Sequence, residues 1–313
     1  MTLRLATAAF AVAATIASPS AQPTLRSQLI GHWRLVSTEQ VRDGEPSVFT
    51  LGPSPSGMIC YTTDGHMLAQ LTASARPKVR AADATAAEAR ELLAGYTAYF
   101  GTFTVDERAG TVTHHRDGTA APGERDIVRT IGLTGNRLVL TTPTVVVNGK
   151  KRYTNITWER LPAAPVAAGF DAAARALVAG TWELVEHKTT LANGEVRRAF
   201  GPTPKGLFIF HADGPTTVQI VNPDRPSATV EQATDDEVRS LTRTYLAYFG
   251  SYDVDAATRK IVVHTTADLN PMNTGTDQIR YYTFDGDLMY LQPPATKVEG
   301  GEQVSRITWR RVR

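Results

Sequence analysis

Two histidines and two arginines carry the first chemical reading of this chain: His114, His264, Arg129 and Arg280. Histidine is the side chain whose ordinary titration falls near neutrality, so it serves as acid or base. An arginine inside an apolar bore can hold a carboxylate through two parallel hydrogen bonds. Each of the four sits in a run that reads as a strand, where alternate residues share a face. His114 therefore goes with Val112, and His264 with Val262. Arg129 goes with Ile131, and Arg280 with Tyr282 and Phe284, which puts charge and aromatic surface together. Either histidine could equally be a hydrogen-bonded core or rim residue. Either arginine could be paired to Asp126 or Asp277, or could face outward. Gln70 and Gln219 in strands, and Tyr99 and Tyr248 at the ends of predicted helices, could orient a ligand or satisfy backbone groups at a barrel mouth.

Other chemistries are not supported. His115 follows His114 directly, but adjacent strand residues point opposite ways and no Cys, Asp or Glu set is spaced around them, so no metal site is expected. The chain has no nucleophile elbow, phosphate loop or dinucleotide fingerprint, and no cofactor is expected. Cys60, the only cysteine, lies in the apolar run Met58-Ile59-Cys60-Tyr61 and reads as a small core residue.

The elements that must position these residues occur twice. Gly31-His32-Trp33-Arg34-Leu35-Val36 returns as Gly180-Thr181-Trp182-Glu183-Leu184-Val185, an offset of 180 − 31 = 149 residues. Gly52-Pro53-Ser54-Pro55-Ser56-Gly57 returns as Gly201-Pro202-Thr203-Pro204-Lys205-Gly206. Asp64-Gly65, Gln70, Arg76-Pro77 and Ala98-Tyr99-Phe100-Gly101 also recur at that offset. The alignment then drifts, pairing His114 with His264, Arg129 with Arg280, and Ile156-Thr157-Trp158 with Ile307-Thr308-Trp309. Each copy alternates short strand-like runs with turn signals, among them Asp43-Gly44, Thr63-Asp64-Gly65 and Asn148-Gly149, the pattern of a barrel or sandwich. One helix interrupts each copy, predicted over Ala84–Tyr99 and Asp235–Tyr248, with Thr234 and Glu237 forming a capping box. The domains are read as 22–161 and 170–313, joined by a Pro- and Ala-rich linker at 162–169. Each copy has a full strand set and its own Trp pair, and is expected to fold by itself.

The 313 residues carry a formal net charge of +2, with no basic block of the kind that phosphate-backbone binding needs, so nucleic acid is not an expected partner. Residues 1–21 read as a signal peptide: Arg4, an uncharged run from Leu5 to Ala17, then Ser18-Pro19-Ser20-Ala21. The apolar run is too short to span a membrane, and no later stretch is long enough, so no integral membrane segment is expected after its removal. Export to the periplasm or the medium follows.

Gly31-x-Trp33 and Gly180-x-Trp182 on a first strand resemble the Gly-x-Trp signature of lipocalins. Trp158-Glu159-Arg160 and Trp309-Arg310-Arg311 close the copies, and in the lipocalin pattern a late Arg packs over that first Trp. The ordered set of Gly-x-Trp, Gly-Pro-x-Pro-x-Gly, Asp-Gly, Tyr-Phe-Gly and final Thr-Trp resembles a bacterial and fungal lipocalin-like domain family, here in tandem. The resemblance implies an all-β fold of two consecutive antiparallel barrels, each with one inserted helix and an internal cavity. Arg280-x-Tyr282 is similar to the Arg-x-Tyr anion clamp of fatty-acid-binding barrels. Copy two departs from copy one where Cys60 and Tyr61 become Ile209 and Phe210. The expected function is binding of a small hydrophobic or amphiphilic molecule in the barrel cavities, an anionic one where Arg280 reads a carboxylate. The alternatives are an isomerase, cyclase or hydrolase using His114 or His264 as acid or base, and a structural pair of filled barrels. For export, the expected outcome is a mature chain starting after Ser20 or Ala21; N-terminal sequencing of exported protein that finds Met1 retained rules it out.

Overall fold

The computed structural model describes residues 23–313; the segment read as a signal peptide lies outside them. The first copy opens with a short helix, α1 (Leu25–Leu29). Its strands are β1 (Gly31–Arg42), β2 (Glu45–Phe49), β3 (Ser56–Tyr61) and β4 (His66–Thr72), then α2 (Ala86–Ala94). They continue with β5 (Tyr96–Asp106), β6 (Thr111–Thr119), β7 (Asp126–Thr134), β8 (Arg137–Thr141), β9 (Val145–Val147) and β10 (Lys150–Arg160). The second copy repeats this with α3 (Ala172–Val178), β11 (Gly180–Thr190), β12 (Val196–Arg197), β13 (Lys205–Phe210), β14 (Pro215–Val221) and α4 (Asp235–Arg243). After them come β15 (Tyr245–Asp255), β16 (Lys260–Asp268), β17 (Asp277–Asp285), β18 (Leu288–Gln292), β19 (Thr296–Val298) and β20 (Gly301–Arg311).

In each copy eight strands close into an antiparallel barrel, because the first strand also pairs with the last long one: β1 with β10 and β11 with β20. The remaining two strands of each sheet, β2 and β9 or β12 and β19, extend the rim. The base is sealed by one arrangement used twice. The Trp33 indole donates to the Leu29 carbonyl at 2.8 Å, and Trp182 to Val178 at 3.0 Å, so the short helix is pinned under the barrel. Arg160 stacks 4.0 Å from the Trp33 ring and donates to the Ile30 carbonyl; Arg311 stacks 4.1 Å from Trp182 and donates to Ala179. The cation adds attraction to the ring face, and its N–H groups satisfy main-chain carbonyls at the end of the short helix.

Two expectations are corrected. The inserted helices stop at Ala94 and Arg243, and the Tyr-rich segments after them are strands. Tyr99 and Tyr248 therefore lie mid-strand, facing into the barrels. Gly95 and Thr244 cap the helices, and the aromatic runs beyond are held between two neighbouring strands, which outweighs their moderate helix propensity. The second correction is register. Gly101 pairs with Arg116 and Gly250 with Thr265, so His264 corresponds to His115 and Val263 to His114. The offset remains 149 here. A one-residue slip reverses the face of every side chain.

The outer faces of β3, β4 and β5 pack against those of β13, β14 and β15. Cys60, Leu68, Phe100, Leu92 and Leu93 of the first copy share one core with Leu207, Ile209, Val221 and Leu241 of the second. Gln70 and Gln219 lie buried in this interface, not in a barrel. Gln70 Nε2 donates to Thr217 Oγ1 at 2.7 Å and to the Tyr248 carbonyl at 2.9 Å, and its oxygen accepts from the Tyr96 hydroxyl. Gln219 Nε2 donates to the carbonyls of Ala69 at 3.1 Å and Tyr99 at 3.0 Å, and its oxygen accepts from Tyr245. The expected autonomy of each copy thus carries a cost, since a separated half exposes this apolar face and unpairs its glutamine. Gln70→Leu leaves the Tyr96 hydroxyl and the Tyr248 carbonyl without the amide they share. Urea denaturation is expected to show a loss of roughly 2–4 kcal/mol; an unchanged midpoint would mean the amide contributes nothing.

Candidate barrel-interior binding site

The first barrel is packed at its base by Trp33, Ile59, Met67, Phe103, Val112, Leu138 and Trp158, all buried. Above this layer lies a polar group. His114 on β6 is completely buried between two tyrosines, with Nε2 2.7 Å from the Tyr61 hydroxyl on β3 and Nδ1 3.1 Å from the Tyr99 hydroxyl on β5. A neutral imidazole has one donor and one acceptor, so one tyrosine donates and the other accepts. Burial, reinforced by the nearby charges of Arg129, His115 and Arg116, pushes the His114 pKa down to about 3. Tyr61, buried, and Tyr99 likewise are pushed up.

Arg129 on β7 approaches this group from the partly exposed end, beside Ile127. It makes no ion pair with Asp126, which pairs instead with His115 at 3.1 Å. It donates to the Val128 carbonyl, of the residue before it, at 2.7 Å. Arg116 on β6 stands 5.8 Å over the Tyr99 ring, and its Nε is buried without a hydrogen bond. Neither guanidinium has a carboxylate within 4 Å among the described residues.

The second barrel repeats the arginine but not the histidine. Arg280 on β17 lies 6.0 Å over the Tyr248 ring and donates to the Ile279 carbonyl at 2.8 Å. Asp277, its expected alternative partner, binds His264 at 2.8 Å. Phe210 and Val263 stand where the first barrel has Tyr61 and His114. Tyr282 is buried in the core, its ring 5.5 Å from Phe284, which in turn stacks on Trp182 at 5.9 Å. It supports the base, below Arg280 on the same strand face.

Two polar residues that the sequence reading did not single out also belong here. His187 on β11 packs edge-on to Phe200 at 4.9 Å with Nδ1 buried and unpaired, and burial lowers its pKa to about 4. Asp268 on β16 is buried, and desolvation raises its pKa to about 6 although Asn270 and Asn273 donate to it. Both fall on inward strand positions, the one signal that could have found them. His264 lies on the outside of the barrel, between Asp277 and Asp253. Asp253 in turn holds Arg175 at 2.7 Å, in a buried pair that ties α3 and the linker to the barrel wall.

The family model described as "Lipocalin-like domain" matches residues 30–161 and again 179–312. The chain belongs to this lipocalin-like family. Barrels of this kind bind ligands in general. The tandem match falls on the two closed barrels and includes both Trp–Arg bases. A search of curated proteins finds no match to the chain. Among solved structures, a protein of unknown function of the DUF3598 family from Nostoc punctiforme is 10% identical, with 94% of this chain and 100% of that one covered and a TM-score of 0.26. An uncharacterized protein from Saccharomyces cerevisiae is also 10% identical, with 90% and 98% covered and a TM-score of 0.40. Clefts of about 320 and 350 Å³ lie outside the bores, between the two lipocalin-like barrels, bordered by residues such as Asp117 and Lys205. Among the described residues no group of three or more His, Cys, Asp or Glu could hold a metal ion, and no helix is long and apolar enough to cross a membrane.

His114 gives this site a pH signature. Its folded pKa of about 3 lies below the free value near 6.5, so the unfolded chain binds the extra proton between those limits. Stability is therefore lost as pH falls through that window, by up to about 1.4 kcal/mol per pH unit from this residue. His32, His187 and His211 are lowered too and act in the same direction. Denaturation at a series of pH values is expected to show His114→Gln with a shallower dependence than the parent by about one proton; identical slopes would place the titration elsewhere.

Proposed function

We propose that this chain is an exported binding protein that holds a small amphiphilic anion in its barrels, with Arg129 and Arg280 reading the acidic group. The observation that carries this reading is the state of those two arginines. Both face inward at equivalent positions, neither has a carboxylate within 4 Å among the described residues, and both spend one donor on the carbonyl of the residue before them, with buried Asp268 farther off on the Arg280 side. A guanidinium has five donors in a planar fork. Those left over match a carboxylate placed at the partly exposed end. The aromatic and aliphatic walls around them, Tyr99 and Ile127 in one barrel and Tyr248 and Phe284 in the other, suit the apolar part of the ligand. Arg116 adds a second positive charge to the first barrel only, so that barrel is the better site for an acid. The Arg4, apolar run and Ser-Pro-Ser-Ala order supports export.

The hydrolase, cyclase or isomerase alternative draws less support from the geometry. Both ring nitrogens of His114 are engaged by tyrosines, and its low pKa makes it a weak base. His264 is outside the bore.

Titration calorimetry with a medium-chain fatty acid and the alcohol of the same length tests the proposal. Arg129→Met and Arg280→Met keep apolar bulk and remove the charge. Loss of a charged hydrogen bond worth about 1.5–3 kcal/mol corresponds to roughly a ten- to hundredfold weaker acid affinity at the affected barrel. Alcohol binding should change little. Equal losses for acid and alcohol would assign the arginines to packing, and no binding by the parent protein would remove this ligand class.

A further inference from the structure

We infer that the rim of the first barrel is a docking surface for an anionic lipid bilayer. The inference rests on the rim alone and is independent of what the barrels hold. At this end the strands run in the order β2, β1, β10, β9 and project as a four-stranded flap, with Arg42 opposite both Glu45 and Arg152. The flap is apolar where water would favour polar residues. Val146 is 66% exposed, Phe49 53% and Val145 52%, with Val48 and Val147 exposed beside them. Val145 and Val147 lie on one face of β9 and Val146 on the other, so the tip is apolar on both sides. A three-valine edge strand is a liability in water and is usually blunted by charge or proline.

The cations are placed for a negatively charged partner. Each valine of β9 stands opposite a cation of β10: Val147 opposite Lys150, Val146 opposite Lys151, Val145 opposite Arg152. Lys150 and Arg42 share Glu45, at 2.6 and 3.7 Å. Lys151 and Arg152 have no carboxylate within 4 Å among the described residues. Long basic side chains can lie along apolar surface and extend their charges outward to the headgroups while valines enter the interface. Basic residues near an anionic leaflet each add attraction that falls off within a Debye length.

The second barrel supplies a control within the same chain. Its rim hairpin, Thr296–Val298 and Gly301–Arg311, has Gly301, Glu302 and Gln303 where the first has Lys150, Lys151 and Arg152, and Glu299 where the first has Asn148. The fold is the same at both rims, and only the first has three cations at these positions of its long strand, the second keeping Lys297 on its short one. Barrel closure therefore does not require them.

Co-sedimentation of residues 23–313, which hold every strand of both barrels, with phosphatidylcholine vesicles with and without phosphatidylglycerol tests this. Partitioning is expected on the anionic vesicles, weakening as salt is raised. Lys151→Glu with Arg152→Glu should reduce it by roughly ten- to a hundredfold, and Val146→Asp by roughly tenfold or more. Lys297→Glu in the second rim should leave it unchanged. The salt titration needs no variant and so stands even if a substitution disturbs folding. Equal partitioning on both vesicle types, no partitioning at all, or vesicle binding lost to self-association through β9 would each overturn the inference.

Discussion

Two buried amides hold the molecule in its present form. Gln70 and Gln219 each reach across the barrel interface to main-chain carbonyls of the opposite β-wall, and each is fixed by a tyrosine of its own copy. A buried amide left unpaired is expensive, so the barrels can meet only where both sets of partners coincide. The rest of the interface follows that placement. Helices α2 and α4 pack together over it. Arg76 reaches the carbonyls of Asp268 and Leu269, and Arg225 those of Thr119 and Ala120, each stacking on the tyrosine that holds its own copy's glutamine. The inserted helix of each copy therefore serves the neighbour as well as its own barrel.

With the outer walls so constrained, the inner faces have diverged. The first bore keeps a Tyr–His–Tyr chain with two arginines beyond it. The second replaces that chain with Phe210 and Val263 and places His187 and Asp268 around Arg280. What both retain is the sealed base and the inward arginine. The base is independent of the bore's polarity, because Trp33 and Trp182 are tied to the short helices by hydrogen bonds to main chain and to Arg160 and Arg311 by ring stacking.

Much of the fold was legible in the sequence because it rests on turn chemistry and alternation. The Gly-Pro-x-Pro-x-Gly and Asp-Gly turns mark the same places in both copies, and the Gly-x-Trp and terminal Arg positions formed the bases they implied. Period-two spacing grouped Arg129 with Ile131 and Arg280 with Tyr282 and Phe284, but left open whether that face turned inward. Other parts were obscured for identifiable reasons. Matching His264 to His114 followed letter identity, while the true equivalence passes through Gly101 and Gly250. At each glycine an added Cβ would come within 2.0 Å of a carbonyl of the next strand, His115 or His264, which fixes the local register. Gln70 and Gln219 were candidates for ligand contact because a lone amide in an apolar run looks functional. The runs around them, Met67–Leu71 and Thr216–Val221, are apolar or buried on both faces, and that is the mark of a wall covered inside and out.

The interface between the copies is built from equivalent positions exchanged in both directions, so it is isologous within a single chain. Such a contact closes on itself and so does not itself propagate from molecule to molecule. The covalent link keeps the halves at high effective concentration for one another, which favours the internal pairing over any rival. The same geometry defines the way this closure can open. Because every contact across the interface joins one half to the other, a chain whose linker came free of Asp213 and Arg175 could satisfy all of them with the opposite half of a neighbour. Domain exchange would then proceed with no new contacts, governed by the linker and by protein concentration.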